Sequence, residues 1–254
     1  MRYLALNLLL LISLPAYADK PPADATGTAT DVVKAAIKAT GGAELIDKLK
    51  CSTMKMEGEV TVMGLNLDFT GDMAYSPPDK FKMSMKMSVM GMKLNVEQVM
   101  NGKKLKSTLN GQAIPIDEDA IAQMKDNMNE HEMSQLTPLL DEKKYKLKLG
   151  DEAEIDGSKA ALIVVSGESL KDQEVKLYFD KKTNLLVKMQ RKSKEQGVGE
   201  VDEESFFTEY KKVQDVMTPM KFVVKHDGKA FMTIKMTEVK LSEKIDDKEF
   251  ATDD

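Results

Sequence analysis

The sequence is short of the side chains that most chemistries need. Among 254 residues there is no tryptophan, one cysteine and two histidines, and Arg2 and Arg191 are the only arginines. Planar guanidinium forks are the usual grip on phosphate and base edges. Their scarcity, with a net charge of −5, excludes nucleic acid as a partner. The lysines are interspersed with acids, as on a solvated face. Cys51 alone permits no internal disulfide and reads as a small buried apolar residue. His131 and His226 have no Cys or His at ligand spacing, which removes the usual metal motifs. Gly167-Glu168-Ser169 lacks the second glycine of a nucleophile elbow, and the acids between Asp151 and Gly157 miss the spacing of a calcium loop. No catalytic residue, resident metal or cofactor is expected. An outer-membrane barrel would want aromatic girdles, and six tyrosines without a tryptophan do not supply them.

Methionine is abundant: ten of the 19 lie between Met54 and Met100. That stretch repeats a phrase, Val62-Met63-Gly64-Leu65-Asn66-Leu67 and then Val89-Met90-Gly91-Met92-Lys93-Leu94. Apolar residues alternate with polar ones on both sides of each phrase, the mark of strands with one apolar face. A two-residue loop sets its flanking residues opposite one another. Val62 is then expected to pair with Leu65, Val60 with Leu67 and Met56 with Gly71. Likewise Val89 pairs with Met92, Met87 with Leu94 and Met85 with Val96. This predicts a four-stranded meander whose apolar side holds Met56, Val60, Val62, Leu65, Leu67, Phe69, Met73, Phe81, Met83, Met85, Met87, Val89, Met92, Leu94 and Val96. Lysines and acids fill the other side.

At the N-terminus, Arg2, the apolar run Leu4 to Leu14 and Ala16-Tyr17-Ala18 have the form of a secretory signal peptide cleaved after Ala18. The run is too short for a membrane span, so a periplasmic protein not integral to the membrane is expected. Residues 1–18 are read as the signal, 19–29 as a disordered linker, and 30–254 as one domain. Thr30 or Asp31 is expected to cap a helix with the stripe Val32, Val33, Ala36 and Ile37, stopped by Gly41-Gly42. A short helix with Leu45, Ile46 and Leu49 follows. A second amphipathic helix spans Asp117 to Glu132, with Ile121, Met124 and Met128 on one face. Strands are predicted at Leu105 to Leu109, Tyr145 to Leu149, Ala160 to Val165, Val175 to Phe179 and Leu185 to Met189. Three more are predicted at Phe206 to Val213, Lys221 to Lys225 and Phe231 to Leu241. Asp156-Gly157 and Asp227-Gly228 mark tight turns, and Ser193 to Glu204 reads as a mobile loop. The fold class is α+β: a curved antiparallel sheet of ten or eleven strands with helices over its concave face.

Several segments carry a family resemblance. They are Ala39-Thr40-Gly41-Gly42, Gly71 to Phe81 with Pro77-Pro78-Asp79, Asn101-Gly102, Tyr178 to Leu186, and Tyr210 to Pro219. Together they resemble the outer-membrane lipoprotein-sorting proteins, the LolA-like carriers, across residues 19–254. The resemblance implies a half-closed antiparallel barrel with a helical lid over an apolar cavity. It also implies a periplasmic, non-catalytic role in carrying lipoproteins by their acyl chains. The best-known carriers hold the lid with an arginine from an early strand, whereas after Arg2 this chain has none before Arg191.

Flexible thioethers adapt to varied apolar shapes, and acyl chains or lipoproteins are the expected ligands of the methionine face. Val33, Ile37, Ile121, Met124 and Met128 are the candidate lid residues. A monomer is expected, with an envelope receptor as a further candidate partner. Two alternatives stand beside this one. Soft sulfur ligands select Cu(I), so the Met-x-Met strands suit a copper-handling protein. An envelope scaffold with a core sealed by its helices has the same pattern. Arg191 continues the parity of Leu185, Val187 and Met189. It either points into the concave side as a lid anchor, held by carbonyls or a carboxylate, or is solvated beyond the strand's end.

Overall fold

A computed structural model describes residues 27–62, 64–170, 173–195 and 199–252. The expected signal peptide, and most of the expected linker, lie outside the described residues. Regular structure begins before residue 30. Thr28, rather than Thr30 or Asp31, caps α1 (Ala29–Thr40). Its Oγ1 accepts from the Asp31 amide, and the Asp31 carboxylate accepts from the Thr28 amide at 2.8 Å, a reciprocal capping box. Gly41, at φ 144°, ends the helix, and α2 (Ala43–Lys48) follows.

Four strands then run as a meander: β1 (Cys51–Val62), β2 (Leu65–Ser76), β3 (Lys80–Val89) and β4 (Met92–Asn101). All six pairs named from the sequence stand in register. β5 (Lys104–Leu109) and the two-residue β6 (Gln112–Ala113) extend the sheet, and α3 (Glu118–Ser134) leaves it under an Asp117 cap. The second half consists of β7 (Lys146–Leu149), β8 (Ala153–Ile155), β9 (Ser158–Ser166), β10 (Val175–Asp180), β11 (Leu186–Glu195) and β12 (Gly199–Thr208). It continues with the small pair β13 (Lys211–Val213) and β14 (Val216–Thr218), then β15 (Lys221–His226) and β16 (Lys229–Ser242). β16 returns to β1 and joins the halves in the order β6-β5-β4-β3-β2-β1-β16-β15-β12-β11-β10-β9-β7, with β8 on β9. The ladders are antiparallel and the sheet does not close. Register shifts at Lys55/Met56, Tyr178/Phe179 and Val224/Lys225 mark bulges, which bend and twist strands.

The fold class is the expected one, but there are more strands than ten or eleven. β6, β8, β13 and β14 are two or three residues long, too short to show a period. The loop expected over Ser193 to Glu204 is largely ladder: Ser193 pairs with Val201 and Arg191 with Glu203. Charges on both faces hide the alternation there. The single strand expected over Phe206 to Val213 breaks at Glu209, which has φ 54°. Leu185 lies outside β11 because the Tyr178/Phe179 shift pairs Phe179 with Leu186.

The core is divided. In the C-terminal half, Val33, Ala36 and Ile37 of α1 bury against Ile163, Val165, Leu177, Phe179, Leu186 and Met189. The expectation that α1 lies on the methionine-rich face is therefore corrected. A helical period says that a stripe is buried, not which of two apolar faces buries it. On the outer face, Phe250 is fully buried against Ala74 and Val99. Lys80 and Lys82 pair with Asp247 and Glu249 at 2.6 and 3.0 Å, which fastens the C-terminal segment over the sheet.

Candidate functional site

The methionines gather on the concave side of β1, β2, β3 and β16. In successive rows across the sheet, Met54 faces Met73 and Met73 faces Met83; Met56 faces Met236 and Gly71, and Gly71 faces Met85; Phe69 faces Met87. Glycines make the wall close-packed. A Cβ on Gly71 would lie 2.5 Å from the Ser84 carbonyl oxygen and 3.0 Å from the Met56 methyl, with Met85 Cγ at 3.5 Å. Two thioether chains thus fold over Gly71, and the Phe69 ring lies over Gly58, its Cζ 3.0 Å from a Cβ built there.

Only Met56, Val60, Phe69, Met85 and Met236 are buried in this cluster. Met54, Leu67, Met73, Met83, Met87, Met232 and Ile234 around them are half-buried. No helical residue belongs to the cluster among the described residues. Among the described residues the wall is therefore built by the sheet and by Met220 just before β15, and it stays partly open to solvent. Val89, Leu94 and Val96 are half-buried beside it. Val62, Leu65 and Met92 stand at the hairpin tips, 42%, 49% and 62% exposed. Phe81 belongs to a different group: with Tyr75, Met100 and Leu105 it receives Met124 and Met128 of α3. Of the candidate lid residues, Met124 and Met128 thus cover the lower end of this half and Ile121 is half-buried, while Val33 and Ile37 serve the other half of the core. A groove of about 440 Å³ lies on the opposite, charged face, lined by Lys55, Asp72, Lys82, Glu97, Glu238 and Glu249.

Arg191 is on β11, its side chain only 9% exposed, and it points inward with Met189. Its Nε donates to Glu203 Oε1 at 2.8 Å and its Nη2 donates to Asn127 Oδ1 at 2.9 Å, with Glu130 Oε2 at 3.0 Å. Asn127 and Glu130 come from α3, so the guanidinium pins that helix to the sheet. Ser205 Oγ donates to Glu130 at 3.2 Å, and His226 Nε2 lies 3.2 Å from Glu203 Oε2 with its ring stacked on Phe231 at 4.0 Å. Two carboxylates share one guanidinium in a dry place. Burial pushes the Glu130 carboxyl above its ordinary range, against the pull of Arg191. Every group in this network is engaged with another, which suits fastening rather than proton transfer.

Further along α3, the His131 ring meets Tyr75 edge-on at 4.0 Å. Burial pushes the imidazole down to about 4 and the Tyr75 hydroxyl up. Glu132 accepts from Lys144 Nζ at 2.6 Å and from the Tyr145 hydroxyl at 3.3 Å. His131 is therefore packed, not on a polar helix face as its neighbours in sequence suggest. Among the described residues, no group of three or more His, Cys, Asp or Glu side chains is placed to hold a metal ion.

Arg191 was within reach of sequence reasoning through its parity with Met189. Glu130, Glu203, Asn127 and His226 were missed. Glu203 sits in the acidic run that hides β12, and which helix-face acid turns inward has no sequence signal.

An open, curved antiparallel sheet with helices against its concave side is the half-barrel class of fold. No protein-family model matches the chain, and no curated protein matches it. Solved structures do share the fold. A LolA superfamily protein, NE2245 from Nitrosomonas europaea, superposes with a TM-score of 0.56 at 12% identity, covering 89% of this chain and 98% of that one. A putative outer membrane lipoprotein-sorting protein domain from Vibrio parahaemolyticus gives 0.52 at 9% identity, covering 87% and 97%. A DUF1329 family protein from Desulfovibrio piger gives 0.51 at 14%, covering 89% and 98%. The chain has the LolA-like fold over most of its length.

Proposed function

We propose that this chain is an exported, non-catalytic, monomeric carrier that shields acyl chains of lipids or lipoproteins on its methionine wall during transfer toward the outer membrane. The observation that carries this reading is the wall itself, a concave apolar face that no helix among the described residues seals. The likeness in fold to a putative outer membrane lipoprotein-sorting domain supports the same ligand class. No helix among the described residues is long and apolar enough to cross a membrane, which fits a carrier that meets membranes from outside. Residues 1–18 would be the export signal and residues 30–254 the carrier domain.

Each methylene removed from water contributes about 0.8 kcal/mol. A long acyl chain lying on an open wall hides only about half its surface, so the gross gain is on the order of 5 kcal/mol. A tighter hold requires a cover, and α3 is the element placed to give it. Arg191 acts as the lid anchor in this reading: releasing its bonds to Asn127 and Glu130 frees α3 to close over a ligand or to let it go. Titration with a fluorescent fatty acid, displaced by palmitate, should show saturable binding. Met85→Lys should weaken it at least tenfold while the circular dichroism spectrum is retained. Absence of binding by the wild type would overturn the carrier reading.

One observation favours the copper reading: Met54, Met73 and Met83 hold adjacent register positions across three strands. Competitor-buffered Cu(I) titration decides it, since a tight site abolished by Met73→Leu is expected only there.

A further inference from the structure

We infer that the exposed ends of the β1–β2 and β3–β4 hairpins, Val62, Leu65, Met90 and Met92, are a membrane-contacting edge, which dips into the interfacial layer of a phospholipid bilayer. The chain supplies its own control. Two-residue turns with both residues in the left-handed region favour Asn or Asp at the first position and Gly at the second, because their short polar side chains tolerate that conformation. Asn110-Gly111, Asp156-Gly157 and Asp227-Gly228 follow this rule, with φ of 51° and 79°, 48° and 78°, and 48° and 76°. Met90-Gly91 has the same geometry, 50° and 82°, yet its first residue is an unbranched apolar side chain 89% exposed to water. The β1–β2 hairpin repeats the choice, since Val62 pairs with Leu65 and Met63-Gly64 joins them. Met90 thus gains nothing from the turn and nothing from the solvent, and the sequence places the same Met-Gly pair between the neighbouring strands.

The two tips lie together. Phe69 pairs with Met87, so the start of β2 and the end of β3 lie at one end of the sheet. Val62, Leu65 and Met92 flank the turns and are also exposed, and neither four-residue tip contains a charge. Each loop is closed by its last ladder pair, Val62 with Leu65 and Val89 with Met92, which leaves few backbone groups for the interface to satisfy. Lys93 follows Met92 directly and is exposed, in position to keep its ammonium at headgroup level. The nearest acids, Glu59 and Asp68, lie further back. A convex pair of tips fits a fluid apolar layer better than the preformed groove of a protein. The tips also continue into the methionine wall through Leu67 and Met87. On the proposed function, on which this inference rests, an acyl chain could pass from the bilayer to the wall without crossing a polar surface.

The test is flotation with vesicles of phosphatidylethanolamine and phosphatidylglycerol, 3:1, comparing the protein as recovered from the envelope with its Met90→Asn variant. The variant places the favoured Asn-Gly pair in a turn that already has its geometry, so its fold is kept, and both proteins share one N-terminus. A fall of at least tenfold in vesicle partitioning is expected, with fatty-acid binding by the wall unchanged. Equal partitioning, or none by either protein, overturns the inference. So does an ultracentrifuge result in which the wild type self-associates and the variant does not, since the tips would then join copies of the chain. Vesicle partitioning without fatty-acid binding would remove the carrier reading and leave the membrane edge standing.

Discussion

At the scale of single residues, the decisive one is Arg191. Its guanidinium is shared by Glu130 and Glu203 in a buried group, and with the Gln123 side-chain bond to the Lys194 carbonyl it ties α3 to β11. Removing one partner of such a group leaves charges buried and uncompensated. Arg191→Gln is therefore expected to destabilise the protein by about 3–5 kcal/mol in urea unfolding, with amide exchange rising first in α3. Glu130→Gln should cost much less, because burial already favours the protonated form of that carboxyl and the amide keeps an acceptor for Arg191. Equal losses in the two variants would refute the fastening role. Gly71 gives a second residue-scale expectation. Its absent Cβ makes room for the Ser84 carbonyl, a backbone atom that cannot rotate away, so Gly71→Ala should lower stability by about 1–3 kcal/mol. The sequence shows Gly71 as an apolar-face position of a strand. It does not show that a neighbouring carbonyl needs the space.

Among the elements, α3 is the one held by polar contacts as much as by apolar ones. Met124 and Met128 bury on one side, while Asn127, Glu130 and His131 face the sheet. The His131 imidazole has a folded value of about 4 against an ordinary 6.5, so between these values the unfolded chain binds the extra proton. Stability from this group is complete above about pH 6.5 and is lost as pH falls toward 4, by on the order of 1–3 kcal/mol allowing for partial exposure. Glu130 works the other way, its raised carboxyl favouring the folded state at lower pH. The two are separated by His131→Gln: the difference in stability between wild type and variant should shrink as pH drops from 6.5 to 4, and a constant difference would contradict the assignment. How elements are placed also marks what the sequence disclosed. The hairpins were legible to the exact residue pair, because a two-residue loop fixes register and a one-step slip would turn every methionine to the polar side. The site of α1, the path of β12 and the shortest strands were not legible. They depend on which distant surface is available, which local periodicity does not record.

Across the whole molecule, one continuous sheet is used in two ways. Its C-terminal half is sealed by α1 and is an ordinary core, with Val33, Ile163, Val165 and Leu177 wholly buried. Its N-terminal half leaves a methionine wall half-exposed, bounded below by α3 and above by the bare tips of two hairpins. An unsealed apolar face of this kind is expected to have an occupant, and softness of the thioethers suits one without a fixed shape. The sequence indicated which residues form that wall, because strand parity is local. It did not indicate that the wall lies beside the helices rather than beneath them. Native mass spectrometry of the protein purified from cell envelopes, without detergent, tests the central claim most directly. Lipid-sized adducts should be present on the wild type and absent from Met85→Lys. Recovery of the wild type as a bare chain, with no adduct even after incubation with palmitate, would contradict it.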